Sequence, residues 1–252
     1  KKIIYILLII IISTIALTLN KKSFTYIGIN HEIFKIEIPI YLKVYNFYQR
    51  HNMYKKLVRE ISDNTENKKY ILLNTMKWIK QNIKKIPEDI DVIDNHPSTI
   101  IDRKVATNDQ FSDLLSVLLV YSNIDSFFDS ENKHYKKSIT FFKINEYWSV
   151  ADPFYGILFL NRKKSFASIK DLKKGLWTMV NLDFNEINDS NYRTIFQSQF
   201  DDYNALISFY NQTFMYLPSN NKIEKTNIFE RGGRSHVQNP YGRLKYEIYK
   251  KL

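Results

Sequence analysis

Thr107-Asn108-Asp109-Gln110-Phe111-Ser112 and, further on, Trp148-Ser149-Val150-Ala151-Asp152-Pro153-Phe154-Tyr155-Gly156 are the two stretches that decide the fold. The first opens a helix. Phe111, Leu114, Leu115, Leu118 and Leu119 recur at helical spacing, so one stripe must be buried against a core. Thr107 and Gln110 match a capping box, in which a hydroxyl accepts from the third helical amide and the glutamine returns to the cap amide; Asn108 is the alternative cap. The second stretch ends a strand. Residues 136–144 and 147–152 read as two strands meeting at a turn on Asn145-Glu146. A two-residue turn sets Ile144 opposite Tyr147 and Ile139 opposite Asp152, with Lys137 diagonal to Asp152 on the same face. Its ammonium is then within reach of the carboxylate, and His134 points to the other face. A three-residue loop would invert this parity.

Working outward, residues 70–84 form a helix with Leu72, Met76, Ile79 and Ile83 on one face. A second helix covers 41–61, and the polar cluster 62–67 between the two supplies several possible caps. Residues 24–39 alternate loosely as a strand or extended connector ending at Pro39. Residues 85–104, with Pro87, Pro97 and many Asp and Asn, read as a long loop leading into the helix, and His96 as a loop residue. Past Ser165 the pattern is weakly helical over 166–180 and 192–216. The chain divides into an apolar segment 3–19, a connector 24–62, a main domain 63–221 and a basic tail 222–252.

Residues 3–19 are uncharged, broken by the small polar residues Ser13, Thr14 and Thr18, and bracketed by Lys1-Lys2 and Lys21-Lys22. Seventeen helical residues reach about 25 Å, so the segment suits a single-pass anchor with snorkelling lysines. A cleaved signal peptide is the rival, opposed by the long apolar run and the lack of a small-residue cleavage site. Lysines on both flanks leave the orientation poorly determined, and the default for a lone N-terminal anchor puts the following domain outside the cytoplasm. The chain of 252 residues is 44% apolar and 15% aromatic, enough for a sizeable core. Its formal net charge of +11 is accounted for by solubility alone, with attraction to anionic headgroups or acidic polysaccharide as the alternative, and a tethered chain is a poor candidate for nucleic acid. The absence of cysteine excludes disulfides, thiolate metal sites and a thiol nucleophile.

Together, the leucine-striped helix and the strand pair ending in Asp-Pro-x-Tyr-Gly resemble the core of the transglutaminase-like superfamily over residues 70–160. The resemblance implies an α+β fold with helices packed on an antiparallel sheet. It also implies a cysteine at the helix N-terminus, a histidine on one strand and an aspartate on the next. The helix terminus lowers the thiol pKa and the carboxylate holds the imidazole tautomer. These positions fall on Asn108, Lys137 and Asp152, so the aspartate alone is kept.

An asparagine is no nucleophile, and a lysine paired with a carboxylate stays protonated near neutral pH. Thiol-type acyl transfer is excluded. Thr107 reads as a cap and Ser112 as a polar helix residue, neither with a histidine beside it. Among the carboxylates, Asp109 complements the helix dipole and Asp113 lies on the exposed side, with Asp102 and Asp152 as the other acids of the region. No metal-ligand spacing or cofactor motif occurs. Trp148 and Tyr155 fit core packing, and Arg231-Gly232-Gly233-Arg234 reads as an anion-binding turn or a flexible tail.

The expectation is a catalytically inactive, membrane-anchored binding or scaffolding module of the cell envelope, with membrane lipid at the N-terminal helix and an acidic polysaccharide or envelope protein as partner. Two alternatives stay open. One is a divergent Ser/Thr acyl transferase or carboxylate-based hydrolase built near Asp152. The other is a structural protein whose cleft is filled.

Overall fold

The computed structural model describes residues 2–29, 32–86, 96–129 and 138–198. Helix α1 (Lys2–Leu19) is long and apolar enough to cross a membrane, and none of its residues is buried in the protein. Its two threonines do not break that character. Thr14 donates to the Ile10 carbonyl and Thr18 to the Thr14 carbonyl, each at 2.8 Å, so both hydroxyls are satisfied within the helix.

An antiparallel hairpin follows, β1 (Lys22–Ile29) with β2 (Glu32–Pro39), where the sequence suggested a single strand or connector. The hairpin returns the chain to its start. Ile40 N donates to the Lys21 carbonyl at 3.0 Å, so helix α2 (Ile40–Ser62) begins where α1 ends. Tyr54, Val58 and Ile61 of α2 enter the main core beside α3 (Lys68–Asn82), so 40–62 is part of the packed body and not a connector. Asn67 caps α3 by accepting from Lys69 N at 3.0 Å. Leu72, Met76, Ile79 and Ile83 are all buried, as the stripe requires.

Part of the stretch read as a loop is helical, and residues 87–95 lie outside the described residues. Helix α4 (Pro97–Arg103) lies within that stretch, with proline at the first position and His96 as N-cap accepting from Ser98 N at 3.3 Å. His96 therefore ends the loop as a cap. The stretch is bracketed by a short parallel pair, β3 (Lys84–Lys85) with β4 (Val105–Ala106), which pins Lys84 and Lys85 beside the start of the next helix.

Helix α5 (Asn108–Tyr121) starts at the Thr107 cap, and Gln110 Oε1 accepts from Thr107 N at 3.1 Å. Arg103 also donates to the Gln110 side chain, tying α4 to the cap. Beyond it a five-stranded antiparallel meander runs in chain order: β5 (Ser126–Asp129), β6 (Ile139–Ile144), β7 (Tyr147–Asp152), β8 (Ile157–Leu160) and β9 (Thr178–Val180). The β6–β7 register is the expected one, with Ile144 opposite Tyr147 and Thr140 opposite Ala151. Asn145 and Glu146 both take positive φ, 53° and 65°, as the two-residue hairpin turn demands.

The helical expectation for 166–180 fails. A single turn, α6 (Ile169–Lys173), is closed by Gly175 at φ 68°, after which Thr178–Val180 pairs with β8. Weak helical periodicity lost to a short segment, with β-branched Thr178 and Val180, that has a sheet edge to join. Helix α7 (Ser190–Gln197) then covers that side of the sheet. The rest of the 192–216 segment, the boundary at 221 and the tail 222–252 with Arg231 and Arg234 lie outside the described residues.

The sheet separates two cores. Helices α2, α3 and α5 pack with Phe142, Ile144, Ala151 and Leu158 on one face. On the other, Phe141, Trp148, Val150 and Phe159 meet Tyr192 and Phe196. Phe159 stacks on Phe196 at 4.1 Å between centroids and Trp177 meets Phe196 edge-on at 5.4 Å.

Candidate functional site

The end of the sheet where β7 finishes is the corner that the sequence marked. Thr140 Oγ1 donates to the Ser112 carbonyl at 3.0 Å and so locks α5 onto β6. The first turn of α5 lies at this same end, because Phe111 meets Phe154 edge-on with 5.4 Å between centroids. Asn108 and Asp152 are thereby brought to one end of the sheet. They belong to different sides of it. Strand alternation puts Thr140, Phe142 and Ala151 on the α5 face and Ile139, Phe141, Val150 and Asp152 on the α7 face.

Asp152 is fully buried. Its Oδ2 accepts from the Tyr192 hydroxyl at 2.6 Å and its Oδ1 from Tyr155 N at 3.0 Å. A buried carboxylate demands such donors, and here one fixes the Pro153-to-Gly156 turn while the other docks α7. Tyr192 was not legible as a partner, since it lies forty positions along the chain and no spacing links the two. Lys137 and His134 lie outside the described residues.

Asn108 Oδ1 and Ser112 Oγ, one helical turn apart, are both buried without a hydrogen-bond partner among the described residues. Ser112 is wholly enclosed, so it is a core residue and not an accessible hydroxyl. The Thr107 hydroxyl is spent on Asp109. Asp109 is half-buried in the first turn of α5. Asp113 is half-buried as well, close enough to Tyr54 to act on its phenol, and not on an open side as expected. Asp102 is exposed. No group of three or more His, Cys, Asp or Glu capable of holding a metal occurs among the described residues.

A cleft of about 310 Å³ opens at the corner, lined by Lys80, Lys84, Lys85, Phe111, Phe154 and Tyr155. Lys85 Nζ stands 4.1 Å from the Phe154 centroid and 4.7 Å from that of Tyr155, a cation over two aromatic rings. Tyr155 is 47% exposed and belongs to this wall, not to the core where the sequence placed it; Trp148 is buried as expected. Among the described residues no carboxylate, imidazole, thiol or aliphatic hydroxyl lines the cleft. It is built to receive negative charge and apolar surface.

No family model matches the chain, and no curated protein matches it. Among solved structures it overlays "a putative protease from Parabacteroides distasonis ATCC 8503" with a TM-score of 0.32 and 12% identity. The overlay covers 66% of this chain and 40% of that one, so the chain spans less than half of that protein's length.

Proposed function

We propose that this chain is a membrane-anchored, catalytically inactive protein of transglutaminase-like type that acts in the cell envelope by binding, with an acidic polysaccharide as its ligand class. Helix α1 supplies the anchor, held to the bilayer by its apolar surface and by lysines at either end. The default orientation of a lone N-terminal anchor puts the domain outside the cytoplasm.

One observation supports the reading: the corner cleft gathers Lys80, Lys84 and Lys85 beside the rings of Phe111, Phe154 and Tyr155, and among the described residues no carboxylate, imidazole, thiol or aliphatic hydroxyl lines it. The state of the neighbouring residues agrees with it. Asp152 is turned to the α7 side of the sheet and engaged by Tyr192, and Ser112 is sealed in the α5–β6 interface. A divergent serine or carboxylate enzyme would need one of those groups in contact with a ligand.

The full chain in neutral nanodiscs, heated with and without polygalacturonate, tests this directly. A ligand that binds only the folded state raises the unfolding temperature with concentration. We expect such a rise, together with no acyl ester on the Thr107 or Ser112 hydroxyl by peptide mass spectrometry after exposure to activated esters. An acyl ester on either hydroxyl, or an unfolding temperature indifferent to the polymer, would contradict the reading.

A further inference from the structure

A second cleft, of about 600 Å³, lies at the opposite end of α3, between the β6–β7 turn and the turn that follows β8. Its charge comes from two elements. Arg162, Lys163 and Lys164 lie in succession on the turn after β8, and Lys69 enters from the first turn of α3. The one acid in its lining, Asp171, is occupied as the α6 capping partner, accepting from Ser168 N at 3.0 Å and Ser168 Oγ at 2.8 Å.

The cationic turn is held in shape. Asn161 Oδ1 accepts from Lys163 N at 2.9 Å and Ser165 N at 3.2 Å, Asn161 N donates to the Ser165 carbonyl at 2.8 Å, and Lys164 takes φ 59°. Three adjacent like charges repel one another, and a turn strapped by its own asparagine keeps them together where a mobile loop would let them disperse. Beside them lie Phe166 and Tyr147, the latter 67% exposed, which gives the rim aromatic faces. Cations next to open aromatic faces in a cleft of this size fit a ligand that alternates negative groups with ring surfaces.

The anchor argues against the bilayer as that ligand. Helix α2 begins where α1 ends and, over 23 residues, carries the chain about 34 Å to the turn before α3, where Lys69 sits. The cleft is therefore at the end of the α2–α3 pair remote from α1. The corner cleft with Lys80, Lys84 and Lys85 is at the other end of α3.

We propose that this remote cleft grips an acidic polysaccharide through Arg162, Lys163, Lys164 and Lys69, with Tyr147 stacking on a sugar ring; this rests on the reading of the chain as an anchored, polysaccharide-binding protein. The test uses the full chain in neutral nanodiscs, immobilised polygalacturonate as probe, and vesicles of phosphatidylglycerol as a second probe. R162S/K163S/K164S is expected to weaken polygalacturonate binding by about tenfold or more, and Tyr147→Ala several-fold, while the charge-matched K55S/K56S/R59S on exposed α2 leaves it near the wild-type value.

Wild-type protein that binds no polygalacturonate removes the underlying reading. Wild-type binding that survives the turn substitutions, or that falls equally with K55S/K56S/R59S or only with K80S/K84S/K85S, keeps that reading and overturns the assignment of this cleft. Loss confined to phosphatidylglycerol vesicles in the turn variant overturns it as well, in favour of a lipid surface.

Discussion

Asp152 is a buried carboxyl engaged on both oxygens: it accepts from the Tyr192 phenol at 2.6 Å and from the Tyr155 amide at 3.0 Å. Tyr192→Phe deletes a donor to a buried charge, so we expect a loss of about 1–3 kcal/mol in unfolding free energy, measured by urea titration. An unchanged midpoint would mean that the hydroxyl is not part of the fold. Ser112 gives the opposite expectation. Its Oγ is buried with no partner among the described residues, so Ser112→Ala should be neutral or stabilising by up to about 1 kcal/mol, and a polysaccharide-binding assay should not register it. A loss of function in that variant would restore the serine-enzyme alternative. His51 adds a pH dependence. Burial, then the nearby Lys55 charge, holds its imidazole below the usual range. The native state thus resists protonation, and the stability it contributes is full above the unfolded value of about 6.5 and lost as pH falls through the lower native one. The acid-side decline in unfolding temperature should be shallower in His51→Gln.

At the scale of elements, the parts that the sequence made legible are those whose local signals agree. The stripe from Phe111 to Leu119, the Thr107–Gln110 cap and the Asn145-Glu146 turn each name their own geometry, and the β6–β7 register follows from that turn. The misses lie where partners are distant. Thr178–Val180 becomes a strand only because Ile157–Leu160 offers it an edge, and no local period announces that. Helix α4 is seven residues inside a stretch read as loop from its prolines, one of which in fact starts it. The Asp152 contact with Tyr192 and the Lys85 contact with Phe154 depend on packing that brings remote segments together. The early end of α6 depends on Gly175 at φ 68°, with nothing within 4 Å of where a Cβ would stand. Gly175→Ala therefore meets no clash and is penalised only by backbone strain, about 1 kcal/mol in chemical denaturation. A cost of several kcal/mol would point to a packing role the geometry does not contain.

Across the whole molecule, charge and hydrophobicity are distributed with a direction. The exposed apolar helix is at one end of α2, the lysine-lined corner with Asn108 and Asp152 is at the end of α3 nearer to it, and the Arg162–Lys164 turn is at the far end. A net charge of +11 thus includes cations gathered at two clefts as well as those scattered over the surface. Such an arrangement suits a tethered protein that holds an anionic polymer off the membrane. The proposed likeness to a nucleophile-bearing scaffold is the claim on which the rest leans. N108C in the full chain addresses its helix half, by the rate of alkylation with iodoacetamide as a function of pH. The account predicts a rate profile governed by a thiol pKa at least about one unit below the ordinary 8.5, set by the α5 N-terminus. A profile centred at or above 8.5 in the folded variant would contradict it.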